Sequence, residues 1–398
     1  MKKILIPMLL MALFATAGAS AQTEKPEKIV SFVKINHDAK WYAHQAVLWE
    51  KEVQKNPNND DAWFYWFEAT RYKLTFEKSD DDIYNRKLIA IANRLHKERP
   101  NSYARYIIDY NCSRLLKNPI ELDNIQDNML KAISMRPNFE AMYPTYVVYL
   151  MKKGRIDLMR DVLKRWYDTG EYSYVLLSFA YNCLAGMEKD GILFVGGDVD
   201  TFSSLLVQYG KGLFQDRIII NLSLLRDSEY LENVCRRLGV EPNKAPKDQN
   251  NSDAVEKWEE NLIFSIAHTT RRPVYFSSFI KPSYLNQFLY SEGLVVKYSS
   301  KRYDNLAVKR RNFESVYLTD YLYETFVPET YNASAYIVNL NFIPCFKSLL
   351  DFYKANGMKA EYDKLHNLMI HIVDNCKDNV YSIQRELNLK YYYDEIER

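Results

Sequence analysis

Two aspartates one residue apart, Asp198 and Asp200, are the residues of this chain best placed to do chemistry. They follow the apolar run Ile192–Val195 and a Gly196-Gly197 turn, and they precede a helix-like segment opening at Thr201. Carboxylates at this spacing suit a divalent cation on a nucleotide sugar, because hard cations prefer carboxylate oxygen. The plainer alternative is that one of them caps the helix opening at Thr201 and shapes the Gly-Gly turn. With Thr201, Arg217 and Asn221 nearby in sequence, Asp198 and Asp200 form the expected ligand-binding set. No catalytic residue, metal ligand or cofactor is assigned.

Other chemistries lack their motifs. A haloacid-dehalogenase-type phosphate transferase also puts Asp-x-Asp after a strand, but Thr or Val then follows two residues on, where Phe202 stands here. There is no G-x-G-x-x-G and no Gly-Lys-Ser/Thr, so a nucleotide cradle is not expected. His366 and His371 are five apart and share no helical face, and no H-E-x-x-H or G-x-S-x-G is present. Asp80-Asp81-Asp82 lacks the Gly and Glu of a calcium loop. Asn111, Asn221, Asn250 and Asn332 head N-x-Ser sequons, to which no role is assigned. The five cysteines form no C-x-x-C and sit among apolar neighbours, as buried small hydrophobes do.

The elements that must position the aspartates are legible around them. Ile192–Val195, the helix-like segment after Thr201 and the second apolar run Ile218–Leu225 read as strand, crossover helix and parallel strand. Asp198 and Asp200 then lie just past the carboxyl end of the first strand, where open α/β sheets bind ligands. Asp227–Leu238 reads as a helix ended by Gly239, Pro242–Asp253 as an exposed loop and Ala254–His268 as a helix. Arg272–Ser278 is a third strand, Ser283–Leu289 a short helix and Gly293–Ser299 a fourth strand. Residues 186–330 are therefore expected to form a small, mainly parallel α/β layer.

On either side the pattern is helical. Residues 22–40 are a polar lead-in. From Trp41 the apolar period is that of helices to about residue 185. The phrase Asn56-Pro57-Asn58-Asn59 returns as Arg99-Pro100-Asn101 and Arg136-Pro137-Asn138, with the prolines 43 and 37 residues apart. Each phrase stops one helix with proline and offers a polar cap to the next. Tyr143–Lys152 and Ile156–Tyr167 form a hairpin that turns at Gly154. In these features residues 41–185 resemble tetratricopeptide repeats, at a period looser than the usual ~34 residues. Residues 331–398 supply a further hairpin turning at Gly357, then a tail. The resemblance implies a concave groove for a protein partner, with Trp63, Trp66, Tyr103, Tyr106 and Tyr146 as candidate lining residues.

The α/β region carries a second likeness. Gly197–Phe202, Asp216-Arg217 before Ile218–Leu225, Arg272–Phe276 and Glu292-Gly293-Leu294 occur in that order. The order is similar to that of the soluble C-terminal part of an uncharacterised bacterial multi-span family, whose membrane region is like that of protein O-mannosyltransferases. The likeness covers roughly residues 190–375. It departs at Val199 and Ser203-Ser204, where the family pattern has Asn and a Pro-aromatic run. The membrane region is replaced by helical repeats, so the likeness implies a soluble module with Asp198, Asp200 and Thr201 at matching positions, not a glycosyl transfer.

The chain has 398 residues, room for two or three domains, and a formal charge of +2, which does not suit a nucleic-acid binder. Met1-Lys2-Lys3, the apolar run Ile4–Phe14 and Ala19-Ser20-Ala21 read as a bacterial secretory signal cleaved after Ala21. No later stretch reaches the ~18 apolar residues of a membrane span. The expectation is an exported scaffold, periplasmic or secreted, that holds a protein partner in the cell envelope. Its 32 tyrosines also suit packing or a contact-rich surface. The alternative is a glycan-binding or glycan-modifying envelope protein with its site at Asp198 and Asp200.

Overall fold

Side-chain caps fix where several helices of this chain begin. The computed structural model describes residues 24–31, 34–35, 37–115, 125–248, 251–280, 282–329, 331–379 and 389–398. The expected signal segment and the sequon at Asn250 lie outside them. Before the sheet come α1 (Ala39–Lys55), α2 (Asp60–Phe76), α3 (Asp81–Glu98), α4 (Tyr103–Leu115), α5 (Ile125–Met135), α6 (Tyr143–Lys152), α7 (Ile156–Asp168) and α8 (Tyr174–Ala185). Asp38 accepts the Trp41 amide at 2.8 Å, Asn59 the Ala62 amide at 3.2 Å and Ser173 the Leu176 amide at 3.0 Å. Each cap satisfies a donor that the first helical turn would otherwise leave unpaired. The Asn-Pro-Asn-Asn phrase therefore does what its residue types require: it ends α1 at Asn56 and opens α2 at Asn59.

The hairpin of α6 and α7 turns at Gly154, whose φ of +64° favours glycine. A Cβ there would stand 2.9 Å from Asn233 Cγ, and Asn233 Nδ2 donates to Lys152 O at 2.6 Å. The tip of this hairpin is thus docked on the α/β region.

That region contains β1 (Ile192–Val195), α9 (Asp198–Leu205), β2 (Ile218–Asn221), α10 (Ser228–Leu238), α11 (Ser252–Thr270), β3 (Val274–Ser277), β4 (Leu289–Ser291) and β5 (Val295–Tyr298). The strand order is β2-β1-β3-β5-β4. Strands β2, β1 and β3 are parallel, with Ile192 opposite both Ile218 and Val274. They are buried at every position, as a sheet covered on both faces must be. Phe194 and Phe276 stack across the strand pair at 5.3 Å.

The sheet is mixed, not mainly parallel: β5 runs antiparallel to both β3 and β4. Only Glu292-Gly293-Leu294 join β4 to β5, and a parallel neighbour needs a crossover of about a dozen residues or more. Gly293, at φ +111°, makes that tight turn possible. The expected helix Ser283–Leu289 is a 3-10 segment ending at Phe288, and Leu289 already belongs to β4.

The chain closes with α12 (Asn305–Arg311), α13 (Asn332–Asn339), α14 (Phe342–Ala355), α15 (Lys359–Asn379) and α16 (Leu389–Glu397). Gly357 (φ +64°) turns α14 into α15. Buried Asn182 on α8 grips the 317–322 stretch through both Leu318 N and Leu318 O, each at 2.8 Å. Among the described residues the fold is α with a small α/β sheet, and no helix is long and apolar enough to cross a membrane. Cys112, Cys183, Cys235 and Cys376 are buried and Cys345 is half-buried.

Candidate functional site

In strand order, β1 and β3 are parallel neighbours, and the chain leaves β1 toward β2 at one edge of the sheet and leaves β3 toward β4 at the other. A crevice at such a switch point is where open α/β sheets hold ligands. Here Asp200 occupies that position itself. Its carboxylate accepts Gly196 N at 2.9 Å and Gly197 N at 2.8 Å from the turn after β1, and Ser277 Oγ at 2.8 Å from the end of β3. Asp200 is 7% exposed. Burial pushes its carboxyl above the ordinary aspartate range, against three hydrogen bonds that favour the charged form. Both oxygens are committed to the protein, so the carboxylate ties the two strand ends together from inside the crevice.

Thr201 and Asn221 extend the same tie. Asn221 Nδ2 donates to Thr201 Oγ1 at 2.9 Å, and Asn221 Oδ1 accepts Leu224 N at 2.9 Å. Both residues are buried. Arg217 stands apart from this group, at the amino end of β2. There Nη1 meets Asp216 at 2.7 Å, Nη2 donates to Met187 O at 3.1 Å and the guanidinium lies 4.9 Å from the Phe214 ring centre. The expected ligand set is therefore split: the length of β2 separates Arg217 from Asn221. The two aspartates also part company, because Asp198 is exposed and faces a different space.

Asp198 lines a cavity of about 110 Å³ where α6, α7 and α9 meet, walled by Trp166, Tyr172 and Tyr331 and crossed by residues 28–31 and Lys34. At its centre lies Glu140, 6% exposed. Its Oε1 accepts Tyr331 OH at 2.7 Å and Trp166 Nε1 at 3.3 Å, while Oε2 pairs with Lys34 Nζ. The Lys34 ammonium also sits 4.6 Å from the Tyr331 ring centre. Burial, then Tyr172 and Glu140, push the Tyr331 phenol well up. The ring walls and the carboxylate thus already hold a cation, the chain's own Lys34, which fastens the N-terminal strap to the rest of the fold.

Of the five aromatic residues expected in a partner groove, Trp66 alone lines one. Trp63 is buried with Nε1 on Pro57 O at 2.9 Å, and Tyr103 is buried with its hydroxyl on Asp61. Tyr146 is fully buried and its hydroxyl has no partner among the described residues. Tyr106 is half-buried, 5.5 Å from the Arg105 guanidinium. The groove itself, about 490 Å³, runs between α1 and α3 over α2. Ala43, Ala46 and Val47 from α1 and Ala90 from α3 line it together with Trp66, Leu74 and Ile91, and its charged lining residues are Lys73, Lys87, Arg94 and one carboxylate, Glu50. Arg94 pairs with Glu98 at 2.7 Å and lies 5.6 Å from the Trp66 ring centre. Among the described residues no ion pair holds Lys73 or Lys87.

One further contact has the chemistry of a nucleophile and a base: Lys309 Nζ donates to Ser348 Oγ at 2.8 Å, and burial lowers the Lys309 pKa. Ser348 lies inside α14, where backbone N–H groups are already bonded within the helix and cannot stabilise an oxyanion. The pair is better read as a buried lysine given an acceptor. Among the described residues no group of three or more His, Cys, Asp or Glu converges on a metal-sized space. No family model and no curated protein matches the chain.

Proposed function

We propose that this chain is an exported scaffold of the bacterial cell envelope, whose N-terminal helices bind an acidic segment of a protein partner. The single observation behind this reading is the α1–α3 groove. Alanines on facing helices leave room for an inserted segment, and Lys73 and Lys87 line the groove without an ion pair among the described residues. A helix or extended segment carrying carboxylates fits such a surface by shape and by charge. The tetratricopeptide-like phrasing of residues 41–185 supports the reading, since repeats of that kind present concave binding faces. The basic, apolar and small-residue order of Met1–Ala21 supports export. The α/β layer, similar to a soluble module of a multi-span family, serves as the platform on which the helices are mounted.

The test is crosslinked capture from native envelopes with the wild-type chain and with Ala90→Trp, which fills the groove. A stoichiometric partner recovered by wild type and lost with Ala90→Trp, at unchanged circular dichroism, supports the reading. An undiminished yield with the groove filled overturns it.

A glycan bound at Asp198 is the second reading, favoured by the aromatic walls of the adjoining cavity. Trp166 fluorescence would respond to such a ligand, and a flat titration with envelope oligosaccharides would remove that reading.

A further inference from the structure

We propose that the acidic segment taken up by the α1–α3 groove is the 318–329 loop of a second copy of this chain, with Phe326 as its anchor. This rests on the groove reading given above and names the partner.

The loop runs LTDYLYETFVPE, from the stretch gripped by Asn182 toward α13. Phe326 is 97% exposed and Val327 beside it 45%. One exposed apolar residue is ordinary on any surface. Here Leu318 and Tyr323, at 50% and 46%, belong to the same ten residues, and large apolar side chains gathered on a short loop mark a contact surface. The base of the loop is held firmly. Asn182 bonds both Leu318 N and Leu318 O at 2.8 Å, and Leu322 O accepts Asn375 Nδ2 at 3.3 Å. Glu329 accepts Ser173 Oγ and Tyr331 N, each at 2.7 Å. Phe326 is thus presented from a fixed frame, which lowers the ordering cost of docking.

Shape and charge both match the groove. The loop carries Asp320, Glu324 and Glu329 and neither lysine nor arginine, and Asp320 and Glu324 are exposed. The groove, about 490 Å³, offers alanines and the 49% exposed Val47 as apolar surface, with Lys73 and Lys87 against the single carboxylate of Glu50. An aromatic ring with an aliphatic neighbour fills such a space, and the acids flanking the ring meet the two lysines. An anionic membrane surface attracts basic segments and repels this one, so the charge selects protein over lipid.

Groove and loop are different faces of one chain, the groove on the first three helices and the loop just before α13. The contact is therefore heterologous: each copy gives its loop to one neighbour and its groove to another. Such a contact propagates from head to tail, and it stops at a single junction when a different face is spoiled on each of two copies.

The experiment is sedimentation velocity of the purified chain over a concentration series. Wild type is expected to form concentration-dependent assemblies larger than one chain. Phe326→Ser, and Lys73→Glu combined with Lys87→Glu, should each weaken association at least tenfold at unchanged circular dichroism. Mixing these two variants should restore one junction and give a dimer with one copy of each, because one brings an intact groove and the other an intact loop. A wild-type chain that stays monomeric, association indifferent to Phe326→Ser, or a mixture that stays monomeric would overturn the proposal. Association that survives Ala90→Trp would seat the loop on another face and overturn it too. A monomeric chain that still captures a different envelope protein, lost with Ala90→Trp, would overturn self-association and leave the groove reading standing.

Discussion

The carboxyl ends of the sheet strands and the groove over α2 both offer charged side chains beside apolar walls, and they differ in where those charges find partners. At the sheet, Asp200 is met by three donors from its own turn and from β3. At the junction cavity, Glu140 is met by Lys34, Tyr331 and Trp166. At the groove, Lys73 and Lys87 line the wall without an ion pair among the described residues. A carboxylate pair after a strand therefore signals a site only where the surrounding donors are not already satisfied from within. Here the internal charges brace the fold, and the groove is the partner face proposed above.

The contrast predicts a graded set of effects. The largest belongs to Glu140→Ala, which leaves the half-buried Lys34 ammonium without its partner and the Tyr331 and Trp166 donors without their acceptor, and should cost about 3 kcal/mol in a denaturant titration. A loss below about 1 kcal/mol would show that Lys34 simply turns out to water. Asp200→Ala strands two amides and the Ser277 hydroxyl and should cost about 2–4 kcal/mol. Asp198→Ala, at an exposed first-turn position, should cost under about 1 kcal/mol. Equal losses at the two aspartates would erase the distinction between them. Lys73→Glu and Lys87→Glu should each shift stability by no more than about 0.5 kcal/mol, while abolishing capture of an acidic partner.

The smallest expected effect is a pH slope. Burial raises the Asp200 carboxyl above its unfolded value of about 3.9, so the folded state holds that proton more tightly than the unfolded state does. Between the unfolded value and the raised folded value, this group adds stability as pH falls, opposite in sign to a salt-bridged carboxylate. Asp200→Asn removes the slope, so the stability of wild type relative to this variant should grow on acidification through that window. A pH-independent difference would mean that the three hydrogen bonds fully offset the cost of burial.

Local chemistry made much of this fold legible. The α6–α7 hairpin follows from Gly154, and the cap of α2 from Asn59, because turn and cap preferences act over a few residues. That an aspartate shapes the Gly-Gly turn was readable too, but the helix opens at Asp198 behind Gly197, not at Thr201, and the Ser277 half of the tie spans 77 residues and leaves no local signal. β4 was hidden because Leu289-Tyr290-Ser291 is short and half-exposed, and its strand state depends on pairing with β5. Arg217 seemed to neighbour Asn221 because sequence distance ignores that an intervening strand carries its two ends apart. Ala43, Ala46 and Val47 read as an ordinary helix face until Ala90 is set opposite them. Most of the aromatic residues expected in the groove are core, since large rings gain more from burial than from solvent contact.

The measurement that separates the two regions most directly is crosslinked capture from native envelopes with three chains: wild type, Lys73→Glu with Lys87→Glu, and Asp198→Ala. Wild type and Asp198→Ala are predicted to recover the same stoichiometric partner, and the double lysine variant to recover none. Retention of the partner by the lysine variant, with loss from Asp198→Ala, would contradict the assignment and move the binding face to the sheet.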